Sequence, residues 1–137
     1  MTDHVVCRLD EIPAGASKRV SINGRAIAIF NVAGTLSAIG DRCPHEGASL
    51  CLGRVTGVVR ADGPGNYRLE REGELVRCPW HGWEFDLKTG KSYCDPTRLK
   101  VRTFDVQVKP GETLAEGPYT IDVFDVAVRD DYVVVSL

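Results

Sequence analysis

The chain has 137 residues, of which 43% are hydrophobic and 26% are charged, a length and composition typical of one globular domain with its own core. With 17 Lys and Arg against 19 Asp and Glu, the formal charge is −2, so no basic field attracts a phosphate backbone and nucleic acid is not an expected partner. No stretch reaches the roughly 18 apolar residues of a membrane helix and the N-terminal segment lacks the apolar run of a signal peptide, so we expect no membrane partner and a cytoplasmic location.

Strand signals begin in the first third of the chain. Residues 25–32 read RAIAIFNV and follow Asn23-Gly24, a dipeptide that tolerates the positive φ of a tight hairpin turn. The Ala-Gly pair at 33–34 predicts a second turn before an apolar segment at 36–39. A three-stranded meander is therefore expected here.

The middle of the chain carries shorter strand signals around two cysteine-containing segments. Residues 74–78 are apolar at their centre, and residues 83–87 run into the Thr89-Gly90 turn. The string DGPGN at 62–66 is rich in turn residues and predicts a surface loop. Both strands therefore flank segments that we expect to carry the function.

The last third of the chain alternates apolar and polar residues, which is the pattern of half-buried strands. The strings FDVQV at 104–108 and FDVAV at 124–128 both alternate, and residues 132–137 predict a closing strand. Residues 110–118 read PGETLAEGP and predict another loop. Because helix signals are almost absent, the chain is predicted to be all-β.

Chemistry concentrates in two short segments, CPH at 43–45 and CPWH at 78–81, each with one thiol and one imidazole. An odd count of five cysteines cannot pair completely, and cytosolic thiols stay reduced, so metal binding is the first function to consider. Thiolate ligands favour zinc or iron with inorganic sulfide, and imidazole suits either. Because each segment pairs one cysteine with one histidine, the pattern favours a two-iron cluster that has two thiolates on one iron and two imidazoles on the other. A zinc site with two cysteine and two histidine ligands is the alternative.

These segments, in the contexts CPHEGASL and CPWHGWEFDLKTG, resemble the two cluster-binding loops of the Rieske [2Fe–2S] family. The shared features include a glycine after each histidine, a hairpin turn and a proline-bearing third loop, at Gly47, Gly82, Thr89-Gly90 and Pro96. The resemblance implies an all-β fold, a Rieske-like sandwich of small antiparallel sheets with an inserted cluster-binding subdomain at about residues 39–95. It implies a single domain over residues 1–137.

The resemblance also implies the cofactor and its ligands, a Rieske-type [2Fe–2S] cluster bound by Cys43, His45, Cys78 and His81. Two ferric ions, two sulfides and two thiolates sum to zero charge, and reduction by one electron leaves −1. Once both of these histidines are ligands, His4 is the only other histidine in the sequence. No catalytic site is therefore expected, and the chain is interpreted as an electron carrier rather than an enzyme.

The function that the resemblance implies is that of a ferredoxin, which passes single electrons from a reductase to a terminal oxygenase. No G-x-G-x-x-G fingerprint follows a strand, so a separate flavin- or NAD-dependent reductase is expected to supply the electrons. Two alternatives stay open. One is the small subunit of an assimilatory nitrite reductase, and the other is a zinc-stabilised binding module without a redox role.

The sequence departs from the high-potential members of the family at several positions. Ala48 and Trp80 stand where those proteins have loop-bracing cysteines, and Trp83 and Phe85 stand where they have hydroxyl donors to the cluster. Fewer hydrogen bonds stabilise the reduced state less, so we expect a midpoint potential near the lower limit of about −150 mV. The spacer between the loops is also longer than in the most compact ferredoxins, and residues 57–69 are expected to form an added hairpin.

The remaining chemically notable residues receive structural interpretations. Cys7, Cys51 and Cys94 are expected to be buried free thiols that act as small hydrophobic side chains. His4 lies near the terminus and is expected to be solvated, without a role. The ring of Trp80 is expected to point outward over a docking surface.

Overall fold

The structure is a computed structural model that describes residues 3–44, 47–61, 63–79, 82–93, 96–111, 120–121 and 130–137. Its strands confirm the all-β prediction. In chain order they are β1 Asp3–Arg8, β2 Ser17–Ile22, β3 Arg25–Val32, β4 Thr35–Gly40, β5 Arg54–Ala61, β6 Tyr67–Arg77, β7 Glu84–Asp86, β8 Thr103–Pro110, β9 Thr120–Ile121 and β10 Asp131–Ser136. Among these residues, no helix is long and apolar enough to cross a membrane.

The meander predicted near the start of the chain is confirmed. β2 and β3 pair antiparallel up to a turn in which Asn23 and Gly24 have φ of 51° and 79°. The turn between β3 and β4 likewise places Ala33 and Gly34 at φ of 52° and 93°. Asn and Gly enter this left-handed region at little cost, so the local sequence alone directs the first hairpin.

Seven strands form one sheet in the order β2-β3-β4-β8-β10-β1-β9. The strands predicted at 104–108 and 132–137 are confirmed as β8 and β10, which pair antiparallel. β1 lies where the sequence predicts no strand, and it pairs with the apolar β10 across a bulge between Val5 and Cys7. The strand predicted at 124–128, and most of the loop predicted at 110–118, lie outside the described residues.

The chain forms two compact units, the first of Met1–Ala38 with Phe104–Leu137 and the second of Ile39–Thr103. The subdomain predicted at about 39–95 lies within the second unit. In the first unit a core of small and branched apolar side chains is buried between the strands: Cys7, Ile12, Ile22, Ile27, Ile29, Ala38, Val133 and Val135.

The cysteines outside the predicted ligand set behave differently from one another. Cys7 is free and buried, as predicted, and burial together with the nearby Glu11 carboxylate raises the pKa of its thiol to about 11. Cys51 is half-buried, so the prediction of full burial is wrong there. Cys94 lies outside the described residues.

His4 is buried, and the prediction that it is solvated is wrong. It is 5% exposed in β1, and neither Nδ1 nor Nε2 has a hydrogen-bond partner among the described residues. β1 lies between β10 and β9, where His4 is opposite Val135 and Thr120. Position near the terminus is therefore a poor guide, because a strand inside a sheet is covered whatever its place in the sequence.

The second unit contains a three-stranded sheet in the order β5-β6-β7. The added hairpin predicted at 57–69 is confirmed, since β5 and β6 pair as far as Ala61 opposite Tyr67. The strand predicted at 74–78 is the end of the longer β6, and the strand predicted at 83–87 is β7. This sheet carries the second cysteine segment between β6 and β7.

Candidate metal centre

The first cysteine segment is a closed loop that follows β4. Cys43 is 1% exposed, and its N–H donates to the carbonyl oxygen of Ala48 at 2.8 Å. The N–H of Gly47 donates back to the carbonyl of Cys43, also at 2.8 Å, and Gly47 has φ of 80°. These two hydrogen bonds close a tight turn that begins at Cys43, while Pro44 beside it is exposed.

The second cysteine segment repeats this arrangement after β6. Cys78 is 2% exposed, and its N–H donates to the carbonyl oxygen of Trp83 at 2.6 Å. In both loops the cysteine therefore bonds to the residue five positions later, although the second loop carries one more residue before its histidine. Gly82 has φ of 72° and takes the place of Gly47. Two similar sequences thus fold into two similar loops.

A buried carboxylate supports the first loop. Asp41 is 3% exposed and accepts from the hydroxyl of Ser49 at 2.8 and 2.9 Å and from the N–H of Cys51 at 2.8 Å. Its carbonyl oxygen accepts from the N–H of Leu50 at 2.7 Å. No local pattern in the sequence marks Asp41, because only the fold brings partners eight to ten residues away onto this residue.

At Gly53 the chain that follows the first loop lies against the residue that precedes the second loop. A Cβ atom on this glycine would lie only 2.2 Å from the carbonyl oxygen of Arg77 and 3.0 Å from that of Leu50. Arg77 immediately precedes Cys78, and Leu50 follows the first loop. Glycine therefore permits a backbone approach between the end of one loop and the start of the other.

A third segment closes the hairpin after β7. The Asp86 carboxylate accepts from the N–H groups of Lys88 at 2.8 Å and Thr89 at 3.1 Å, which confirms the predicted turn. Gly90, at φ of 75°, accepts from the N–H of Val101 at 2.7 Å, and a Cβ there would lie 2.0 Å from the Val101 oxygen.

Arg71 ties this turn to β6. It has φ of 53° and donates from Nη2 to Asp86 and, at 3.3 Å, from Nε to Glu74. These hydrogen bonds, the one to Asp86 first, raise the pKa of Arg71.

Two aromatic residues stand where the high-potential proteins have hydroxyl donors, and the structure describes both. Phe85 is fully buried in β7 opposite Val76, and Trp83 is half-buried rather than part of the core. Ala48, where a loop-bracing cysteine would stand in high-potential Rieske proteins, is buried.

The structure describes half of the predicted ligand set. Cys43 and Cys78 begin the two loops as buried cysteines, whereas His45 and His81 lie outside the described residues, as does Trp80. Within the described part of the chain, no three His, Cys, Asp or Glu side chains group as a metal site. Two buried thiols in matching loops are a donor set that suits the thiolate-bound iron of a [2Fe–2S] cluster.

Residues 2–105 match the Rieske [2Fe–2S] domain, which spans most of the chain. This chain belongs to the Rieske [2Fe–2S] family. Its cofactor is a Rieske-type [2Fe–2S] cluster, and not the zinc ion of the alternative interpretation.

Relatives of this Rieske protein include electron-carrying components of dioxygenases. It is 32% identical to the 3-phenylpropionate/cinnamic acid dioxygenase ferredoxin subunit of Escherichia coli (strain K12) over 112 residues. That alignment covers 82% of this chain and 91% of the relative. Among solved structures, a similar chain occurs in the complex of reduced oxygenase and oxidized ferredoxin in carbazole 1,9a-dioxygenase. Its TM-score is 0.60 at 23% identity, and the superposition covers 96% of this chain and 91% of that chain. A nitrite reductase NADPH small subunit gives a TM-score of 0.60 at 22% identity, with 100% of both chains covered. The two structural likenesses show the Rieske fold.

Proposed function

We propose that this Rieske protein is a ferredoxin that carries single electrons from a flavin- or NAD-dependent reductase to a terminal oxygenase. The observation that carries the proposal is the 32% sequence identity between this chain and a dioxygenase ferredoxin subunit, in an alignment that covers 91% of that subunit. The likeness therefore covers nearly the whole carrier and is not limited to the cluster motifs. A carbazole dioxygenase structure in which ferredoxin and oxygenase form a complex supports an oxygenase as the class of electron acceptor.

Four residues are proposed as the cluster ligands, Cys43 and Cys78 on one iron and His45 and His81 on the other. When bound, the cluster supplies reversible one-electron exchange. The chain itself positions the ligands: the N–H of each cysteine donates a hydrogen bond within its own loop, which fixes the backbone at that cysteine. Burial of both cysteines keeps water away from the thiolate side, which leaves the imidazole side as the proposed exit for electrons.

The chain is proposed to be a carrier without a catalytic site of its own. With His45 and His81 assigned to the cluster, the third histidine is His4, which is buried in β1. A mononuclear iron of the oxygenase type needs two histidines and a carboxylate with open coordination positions. The free thiol of Cys7 also suits the reducing cytoplasm, which we propose as the location.

The ligand assignment is tested by metal analysis and spectroscopy of anaerobically purified protein. We expect two irons and two acid-labile sulfides per chain, and a Rieske EPR signal after reduction with dithionite. Cys43→Ser and Cys78→Ser should each abolish that signal. Cys51→Ser is the matched control, because it removes another thiol from the same unit and should leave the signal intact. Stoichiometric zinc without sulfide, or loss of the signal in the control alone, would contradict the assignment.

The partner class is tested by reconstitution with the redox proteins encoded beside this gene. A carrier to an oxygenase predicts that NADH consumption by the reductase plus oxygenase, in the presence of oxygenase substrate, depends on this chain. The nitrite reductase alternative draws on a fold likeness over the full length of both chains. It predicts instead that the chain co-purifies with a large subunit and supports nitrite-dependent oxidation of NAD(P)H.

A further inference from the structure

Each ligand loop is preceded by an arginine whose guanidinium packs on the glycine of the same loop. The atoms Nε, Nη2 and Cζ of Arg42 lie 3.2, 3.5 and 3.8 Å from the position that a Cβ on Gly47 would occupy. The same atoms of Arg77 lie 3.2, 3.6 and 3.7 Å from the corresponding position on Gly82. The packing is therefore built twice, with distances that agree to about 0.1 Å.

Ion pairing does not explain these two arginines. Within the described part of the chain neither Arg42 nor Arg77 pairs with a carboxylate, whereas Arg71 of the same unit pairs with Glu74 and Asp86. Although both arginines are exposed, each guanidinium lies beside its loop glycine, in the space that a side chain there would fill. A flat guanidinium suits such a surface better than an ammonium group does.

We propose that Arg42 and Arg77 are paired positioning residues, each of which covers its loop glycine and places one positive charge on its ligand loop. The inference rests on the proposed function, which assigns Cys43 and Cys78 as ligands. The covering keeps each loop closed around its cysteine. The two charges favour the reduced state, because reduction changes the cluster charge from zero to −1.

The size of the charge effect is limited by solvent. Both arginines are exposed, so their interaction with the site is screened by water and salt. We expect removal of one charge to lower the ratio of reduced to oxidised protein about threefold at a fixed applied potential. For a one-electron couple, in which tenfold corresponds to 59 mV, this is a fall in midpoint potential of about 30 mV.

The experiment compares Arg42→Met, Arg77→Met and the double variant with the wild-type holoprotein. The midpoint potential is measured by voltammetry, the cluster environment by EPR, and loop closure by the rate of iron loss to a chelator. Each single variant should lower the potential and lose iron faster, and the double variant should show about the sum of both effects. Arg25→Met is the control, since it removes an exposed arginine at the start of β3, outside both loops, and should change neither quantity.

Lysine variants separate the charge from the covering. Arg42→Lys and Arg77→Lys together should keep the wild-type potential but still lose iron faster, because the ammonium group does not lie flat on the glycine. If the methionine variants fail to load a cluster, the test is made with the protein that carries both lysine substitutions. Iron loss from that protein at the wild-type rate would overturn the proposal. An unchanged potential in the double methionine variant, or an equal fall in the Arg25→Met control, would overturn it as well. Failure of the proposed function looks different, because the wild-type protein itself would then lack the Rieske signal.

Discussion

Gly53→Ala adds one methyl group where the chain that follows the first ligand loop lies against the residue that precedes the second loop. A Cβ atom at this position would lie 2.2 Å from the carbonyl oxygen of Arg77, and real Cβ atoms essentially never come closer than 3.0 Å to another heavy atom. The backbone must therefore move by at least about 0.8 Å. Because Arg77 is bonded to Cys78, this displacement passes directly to a proposed ligand.

The displacement is large compared with what metal coordination allows. Ligand distances are held to within about 0.2 Å, so a shift of this size takes one loop out of register with the other. Overpacking of this kind typically costs about 1–3 kcal/mol of the free energy of unfolding. Gly53 itself has φ of −78° and ψ of 170°, which other residues adopt freely, so the expected effect is steric and not a matter of backbone strain.

The assay is the iron and acid-labile sulfide content of anaerobically purified Gly53→Ala, together with its EPR signal and thermal unfolding midpoint. We expect most of the cluster to be lost and the midpoint to fall. Gly40→Ala is the matched control, because a Cβ there would meet its nearest atom, a backbone oxygen of Arg102, at an ordinary 3.8 Å. A Gly53→Ala protein with the full cluster and wild-type stability would show that this approach does not hold the loops in register.

Three further predictions concern stability. The pKa of Cys7 in the folded protein, about 11, lies above the ordinary thiol value of 9.0, so between these values the native state keeps a proton that the unfolded state loses. The free energy of unfolding should therefore fall by about 2–3 kcal/mol between pH 9 and 11. Urea unfolding of Cys7→Ala should lack this loss, and an identical loss in both proteins would contradict the prediction. His4→Leu should raise the free energy of unfolding by about 1–3 kcal/mol, because it removes two buried nitrogens without partners among the described residues, and a less stable variant would refute this. Arg71→Ala and Arg71→Gly both lose the ion pairs with Glu74 and Asp86, but only glycine relieves the positive φ. The alanine variant should therefore be less stable by about 1 kcal/mol, and equal urea midpoints would contradict the strain.

The β-class and the first hairpin were readable from the sequence because their causes are local. Asn23-Gly24 specifies a turn through its own backbone preference, and alternation at 104–108 reports a half-buried strand wherever the strand pairs. The two proposed cysteine ligands were likewise found from short-range spacing, because each lies in a tight loop that spans only six residues. Family membership then followed from motifs of the same short range.

Tertiary structure decided what depends on residues distant in sequence. β1 has a weak pattern of its own and becomes a strand because β10 offers an apolar partner, which also buries His4 against expectation. Asp41 and Gly53 look ordinary in the sequence. In the structure, Asp41 accepts hydrogen bonds from N–H and hydroxyl groups beside the first loop, and Gly53 leaves space for the backbone that leads into the second loop. Backbone spacing between segments and the burial of a polar side chain are properties of packing, so no local pattern in the chain encodes them.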